Sequence, residues 1–188
     1  GKDGEEELQA SDSGPLAAYV WKTTADPFVG RLSWFRVWSG TLRPHDLVWN
    51  AARLSEERIG QVMAPRGREQ EIVDAVRAGE IGAVAKLKDT LTGDTLGDKA
   101  DALTFAPLDF PEPVLSYAIE PRTRGDEDKI STSMHRLEEE DPSIRYSRDP
   151  QTKELLLSGQ GQVHIEVTVA KLKRRFGVDV NLKPPRIP

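Results

Sequence analysis

Cysteine is absent from the 188 residues. That excludes disulfides, thiolate metal sites and a thiol nucleophile, and the composition fits a cytosolic protein. Histidine is scarce, at three residues, which leaves little for a metal centre. Asparagine occurs only at Asn50 and Asn181, and neither opens an Asn-Lys-x-Asp base-reading motif. The only Gly-Lys pair is Gly1-Lys2. Nucleotide hydrolysis needs a glycine loop whose amides cradle phosphates and a lysine that reaches them, so these residues alone should not bind or hydrolyse a nucleotide. No apolar run approaches membrane-spanning length, and no signal-peptide pattern opens the chain.

What is present is a well-solvated chain, 30% charged and 37% hydrophobic, with a net charge of −5. An acidic balance argues against an indiscriminate phosphate binder. Residues 1–110 hold 13 Lys+Arg against 18 Asp+Glu, whereas residues 111–188 hold 13 of each. Any nucleic-acid contact is therefore local and expected in the second half.

Residues 1–15 are polar and acidic and read as a disordered tail or linker. From residue 16 to 106 the signals are short strands between turns, at Ala17–Thr23, Phe28–Trp38, Leu47–Trp49, Glu57–Met63, Ile81–Leu87 and after Asp94. The second of these is apolar on both parities, with Leu32, Trp34 and Trp38 on one and Phe35 and Val37 on the other. Such a strand suits a small β-barrel whose outside is also covered. Pro107, Pro111 and Pro113 mark a linker over residues 107–113.

The second domain is expected over residues 114–183, with 184–188 as a connector. Val114–Glu120 alternates as a strand. Asp126, Glu127 and Asp128 open a helix carried by Ile130, Met134 and Leu137 and ended by Pro142. Ser143–Ser147 and Glu154–Leu157 read as a strand pair, and Val178–Val180 as a last strand.

Gly159–Phe176 is the ambiguous stretch. Val163, Ile165, Val167 and Val169 alternate strictly, which is the strand signature. Yet Ile165, Val169, Leu172 and Phe176 also form a helical stripe. On such a helix His164, Thr168, Lys171 and Arg175 form a mostly basic stripe, and Val163, Val167 and Ala170 a second apolar one. A helix with two apolar stripes buries one against its own sheet and offers the other to a neighbour. The helical reading gives a ferredoxin-like β-α-β-β-α-β order.

The chain resembles the middle of bacterial elongation factor G, the translocation GTPase of the ribosome. Asp26-Pro27-Phe28-Val29-Gly30-Arg31, Arg36-Val37-Trp38-Ser39-Gly40, Ala78-Gly79-Glu80-Ile81-Gly82-Ala83 and the run Leu87–Leu96 are similar to that family's second domain. Pro113-Val114, Ala118-Ile119-Glu120-Pro121, Asp126-Glu127-Asp128-Lys129, Glu139-Glu140-Asp141-Pro142 and Gly159-Gln160-Gly161-Gln162-Val163-His164-Ile165-Glu166 are similar to its third. The resemblance implies an all-β translation-factor barrel followed by an α+β ferredoxin-like domain, with Gly159–Phe176 helical. It implies a fragment, lacking a GTPase domain before Gly1 and two domains after Pro184-Pro185. Gln160 and Gln162 stand where the family usually has Met and Glu, and Met63–Arg68 is unlike the usual form, which points to a divergent or paralogous member.

The implied partners are the ribosome, through ribosomal RNA and a small-subunit protein, and the remaining domains of the same chain. The implied protein is a cytoplasmic monomer with no membrane contact. No cofactor is expected within these residues, and GTP with magnesium is expected in the GTPase domain. Interface candidates are His164, Glu166, Lys171, Arg175, Val163 and Val167, with Lys88, Asp89, Thr92 and Asp94 in the Leu87–Leu96 run. The basic stripe would meet the GTPase switch region or ribosomal RNA. A solvated helix face is the plain alternative, as Asx and threonine turn bonds are for Leu87–Leu96. His164-x-Glu166 as a metal site and Glu138–Asp141 as an acid/base cluster are weaker readings than solvated helix positions. Trp34 and Trp38 are expected to pack rather than to stack on bases. Two alternative functions are another translational GTPase, such as a tetracycline ribosomal protection protein, and a stand-alone RNA-binding module. The latter would need exposed aromatics on the second sheet, for which Tyr117 and Tyr146 are the strand candidates.

Overall fold

The computed structural model describes residues 4, 7–26, 29–67, 69–123 and 125–186. Most of the first six residues, Pro27, Phe28, Arg68 and the last two residues, all drawn on above, lie outside those described. The chain divides into two compact units, Gly1–Leu108 and Asp109–Pro188.

In the first unit the described strands are β1 (Ala17–Asp26), β2 (Gly30–Ser39), β3 (Thr41–Leu42), β4 (Leu47–Asn50), β5 (Ser55–Arg58), β6 (Val62–Arg66), β7 (Glu69–Val73), β8 (Val76–Arg77), β9 (Ile81–Ala85) and β10 (Thr95–Gly97). Eight form one antiparallel sheet in the order β5-β4-β10-β1-β2-β9-β6-β7, and β3 pairs with β8. Alternate residues of the strands point inward: Ala18 and Val20 of β1, Phe35 and Val37 of β2, Val48 of β4, Val62 of β6, Val84 of β9 and Leu96 of β10 share one core. Val48 and Val62 come from opposite ends of the strand order. The sheet therefore curls around its core in the manner of a barrel wall. Outside it, the Trp34 indole donates to Thr24 Oγ1 at 3.0 Å, and Trp38 packs beside Phe105 at 5.9 Å. Trp34 is half-buried, whereas Trp38 remains 44% exposed.

Three local expectations are corrected. Glu57–Met63 is not one strand. Ile59 turns its backbone to His45 and Asp46, donating to Asp46 O and accepting from His45 N–H at 2.9 Å each. The chain thereby leaves β4 and restarts as β6 beside β9. β7 follows as a hairpin partner of β6 that the sequence does not advertise, because four of its five residues are exposed and it lacks apolar alternation. Residues 11–14, part of the expected disordered tail, form a turn instead. Ser11 O accepts from Gly14 N–H at 3.1 Å and Gly40 N–H at 2.8 Å. Gly40 has φ +76, and a Cβ there would lie 2.7 Å from Leu16 Cα, so no other residue fits.

The second unit contains β11 (Leu115–Pro121), α1 (Glu127–Glu140), β12 (Arg145–Arg148), β13 (Leu155–Gly159), α2 (Gln162–Phe176) and β14 (Val180–Lys183). The antiparallel sheet runs β12-β13-β11-β14, the ferredoxin-like arrangement. The ambiguous stretch is a helix, against its local alternation. Ile165 and Leu172 are fully buried with Ile130, Met134 and Leu137 of α1, and Val169 and Phe176 pack against the same cluster. Each such burial contributes about 2 kcal/mol, which overrides the weak helix preference of five β-branched residues, Val163, Ile165, Val167, Thr168 and Val169. Lys173, Arg174 and Arg175 occupy the last turn of α2, where the carbonyl end favours cations. Gly177 closes the helix in the left-handed region at φ 68, donating to Lys173 O.

Candidate functional site

α2 has three faces, and the structure gives each a different environment. The inward stripe is buried at Ile165 and Leu172 and half-buried at Val169 and Phe176. The second apolar stripe points outward: Val163 is 71% exposed, Val167 is 46% exposed, and Ala170 is exposed. Unpartnered branched side chains on a helix are the feature of this unit that packing within it does not explain. Glu166 lies beside them, its Oε1 accepting from Gln162 Nε2 at 2.8 Å.

The basic stripe is largely engaged inside the unit. Arg175 grips Glu140 at the end of α1 with two nearly parallel bonds, Nη1 to Oε2 at 2.7 Å and Nη2 to Oε1 at 2.9 Å. Thr168 is buried and donates to His164 O at 2.8 Å. His164 Nδ1 accepts from the Gln160 N–H at 3.1 Å, and Nε2 faces Asp141 Oδ2 at 2.9 Å. A backbone donor at Nδ1 requires that nitrogen to be unprotonated, so Nε2 carries the proton and donates to Asp141. Both ring nitrogens of His164 are thus engaged inside the unit rather than aimed at phosphates. Burial pushes the Asp141 carboxyl up. Hydrogen bonds from the Ser143 hydroxyl and N–H and from His164 more than offset this, so its pKa is lowered. Lys171 is half-buried and Arg174 exposed, and neither makes an ion pair among the described residues.

The acidic run at the C-terminus of α1, unfavourable for the helix dipole, is explained by the same contacts. Glu138 accepts from the Tyr146 N–H and faces His135 Nδ1 at 3.0 Å. Glu140 and Asp141 take Arg175 and His164. Glu138, Glu140 and Asp141 are thus used in holding the end of α1 against β12 and α2.

In the first unit the Leu87–Leu96 run is organised by a carboxylate that sequence reading passed over. Glu57 is 2% exposed. Its Oε2 accepts from Lys88 N–H at 3.0 Å, and its Oε1 accepts from Asp89 N–H at 2.8 Å, Thr90 N–H at 3.1 Å and Thr90 Oγ1 at 2.9 Å. Burial pushes its pKa up, the four donors push it down, and the balance is below its ordinary value. Asp94 is also buried. It accepts from Asn50 Nδ2 at 3.0 Å, Leu91 N–H at 2.9 Å and Arg53 Nε at 2.9 Å. Thr92 bonds Thr23 at 2.9 Å. Of the four candidates in this run, Asp94 and Thr92 face their own fold. The Lys88 and Asp89 side chains are exposed.

His164 and Glu166 lie two residues apart on one helix and so point away from each other. Among the described residues no group of three or more His, Cys, Asp or Glu could hold a metal. Tyr117 and Tyr146 pack against the helix-side core. The opposite face of that sheet presents Ser116 and Ser158, whose hydroxyls pair at 2.7 Å, rather than aromatic rings. No described helix is long and apolar enough to cross a membrane.

Comparison with known proteins coincides with this two-unit geometry. The family model for elongation factor G domain 2 matches residues 15–99, and that for elongation factor G domain III matches residues 110–184. The chain belongs to the elongation factor G family. It is also similar to a crystal structure of a protein from Thermus thermophilus, at 30% identity over 94% of this chain with a TM-score of 0.79. The chain covers 26% of that protein, about a quarter of its length. In elongation factor G terms, the barrel-type unit is domain 2 and the ferredoxin-like unit is domain 3. The features missed in the sequence were the partners of recognised residues: Glu57 for the Leu87–Leu96 loop, and the α1 acids for the α2 cations.

Proposed function

We propose that this chain supplies domains 2 and 3 of an elongation factor G-like translational GTPase that acts on the ribosome in the cytoplasm as a monomer. The barrel domain contacts the small subunit and braces a GTPase domain. The ferredoxin-like domain relays nucleotide state to the rest of the factor. These residues hydrolyse nothing themselves, since they carry no phosphate loop or base-reading motif, and GTP with magnesium belongs to the GTPase domain. The observation that carries the reading is the outward stripe of Val163, Val167 and Ala170. It is an apolar helix face on a unit whose own core is already closed by the opposite face of the same helix. The GTPase domain is the partner assigned to it, and a small interface of this kind can re-pack on a switch.

The test is ribosome binding by the full-length protein with a non-hydrolysable GTP analogue. Stable binding with the analogue and weak binding with GDP is expected. No binding in either state removes the ribosomal assignment. Release of ribosome-bound tetracycline without translocation would instead assign a protection factor.

A further inference from the structure

The segment joining the two units is held at each end by the unit it leaves. On the first side Phe105 is the last fastened residue. Its N–H donates to Thr95 Oγ1 at 3.0 Å, and its ring packs edge-on against Tyr19 at 5.5 Å. On the second side Val114 N–H donates to Gly159 O at 3.0 Å, and Arg145 pairs with Glu112 at 2.9 Å. The Gln160 side chain adds a third fastening. Its Nε2 donates to Pro111 O and Glu112 O, each at 3.0 Å, with Ser143 O at 3.4 Å. All three acceptors are main-chain carbonyls, so the amide holds a path of the backbone rather than a particular side chain.

Gln160 is itself placed by α2. Its N–H is bound to His164 Nδ1, and His164 is held by Asp141. A continuous chain of hydrogen bonds thus runs from the end of α1 through the first turn of α2 to residues 111–112. Between the two fastenings, residues 106–110 are all exposed and make no hydrogen bond among the described residues.

We infer that Gln160 is a latch that fastens residues 111–112 to the start of α2 and confines backbone freedom to Ala106–Phe110. Removing the side-chain donor lengthens the free segment toward Val114. Gln160→Met removes the amide, and Gln160→Glu keeps the shape but places a carboxylate against three carbonyl oxygens.

The test is backbone 15N relaxation and amide exchange on the intact chain. In the wild type, Leu108, Asp109 and Phe110 give low heteronuclear NOE values, while Phe105, Glu112 and Val114 give values like those of β11. In either variant Glu112 falls to the level of Leu108, and Val114 exchanges ~tenfold faster. Leu157 and Ile165 keep their wild-type signals, which shows that the core is intact. Wild-type residues 106–110 as rigid as β11 would overturn the inference, and so would an unchanged Glu112 in both variants. Neither ribosome nor nucleotide enters the measurement, so its outcome is independent of the function proposed above.

Discussion

The two units both anchor their critical segments with carboxylates, but the donors differ. In the barrel unit Glu57 holds the loop at Lys88–Thr90 almost wholly through main-chain N–H groups, in a site closed to water. In the ferredoxin-like unit Glu140 and Asp141 hold side chains, Arg175 and His164, at positions still partly open to solvent. Main-chain donors leave no trace in a sequence, whereas side-chain partners do. A buried carboxylate surrounded by amides also has no replacement for its charge, while a half-exposed ion pair can fall back on water. The first site should therefore be brittle and the second forgiving.

The largest effect expected is at Glu57. Glu57→Ala leaves three backbone N–H groups of the loop without acceptors and should destabilise the barrel unit by about 3 kcal/mol. That corresponds to a melting temperature lower by roughly 15 °C for a unit of this size, readable by calorimetry. A loss under about 1 kcal/mol would erase the contrast between the units.

Acid titration sharpens the same contrast. The Glu57 carboxyl has a lower pKa folded than unfolded, so the folded state binds fewer protons through that range. Its stabilisation is fully present above the ordinary glutamate pKa of about 4.3 and is lost as pH falls through the lowered folded value. The melting temperature of the barrel unit should fall with acidification below that point. Glu57→Gln should flatten this fall while lowering stability at pH 7. An unchanged acid slope in that variant would remove Glu57 as its source.

At the helix pair, a double-mutant cycle with Glu140→Gln and Arg175→Met should give a coupling of about 1.5 kcal/mol. A coupling near zero would remove this pair as a clamp between the two helices. Smaller still is Gly177→Ala, where a side chain in the left-handed region should cost about 1 kcal/mol. Its melt should shift in the ferredoxin-like unit alone.

Much of the architecture was legible in the sequence. Short strand-type runs between turns located β1, β2, β4 and β9, alternation located β11, and helical spacing located α1. β7 was hidden because Glu69, Gln70 and Glu71 give a strand with nothing to bury. The break at Ile59 was hidden because a buried isoleucine continues an apolar run whether or not the strand does. α2 misleads locally because its β-branched residues lie on two faces, Ile165 and Val169 inward, Val163 and Val167 outward, and such a helix also alternates. At the candidate site, the outward stripe of α2 was legible from spacing alone. The pairing of the basic stripe with the acids of α1 was not, since the two segments lie more than twenty residues apart and each reads separately as a solvated face.

The central claim is that the outward apolar stripe of α2, not its basic stripe, faces the partner domain. The most direct measurement is ribosome-stimulated GTP hydrolysis by the full-length protein carrying Val167→Asp, with circular dichroism confirming that the ferredoxin-like unit still melts cooperatively. A charge buried in an apolar interface costs several kcal/mol, so stimulated turnover should fall at least about tenfold. Wild-type stimulation by that variant, together with a comparable loss in Lys171→Ala, would contradict the account and return the basic stripe to the interface.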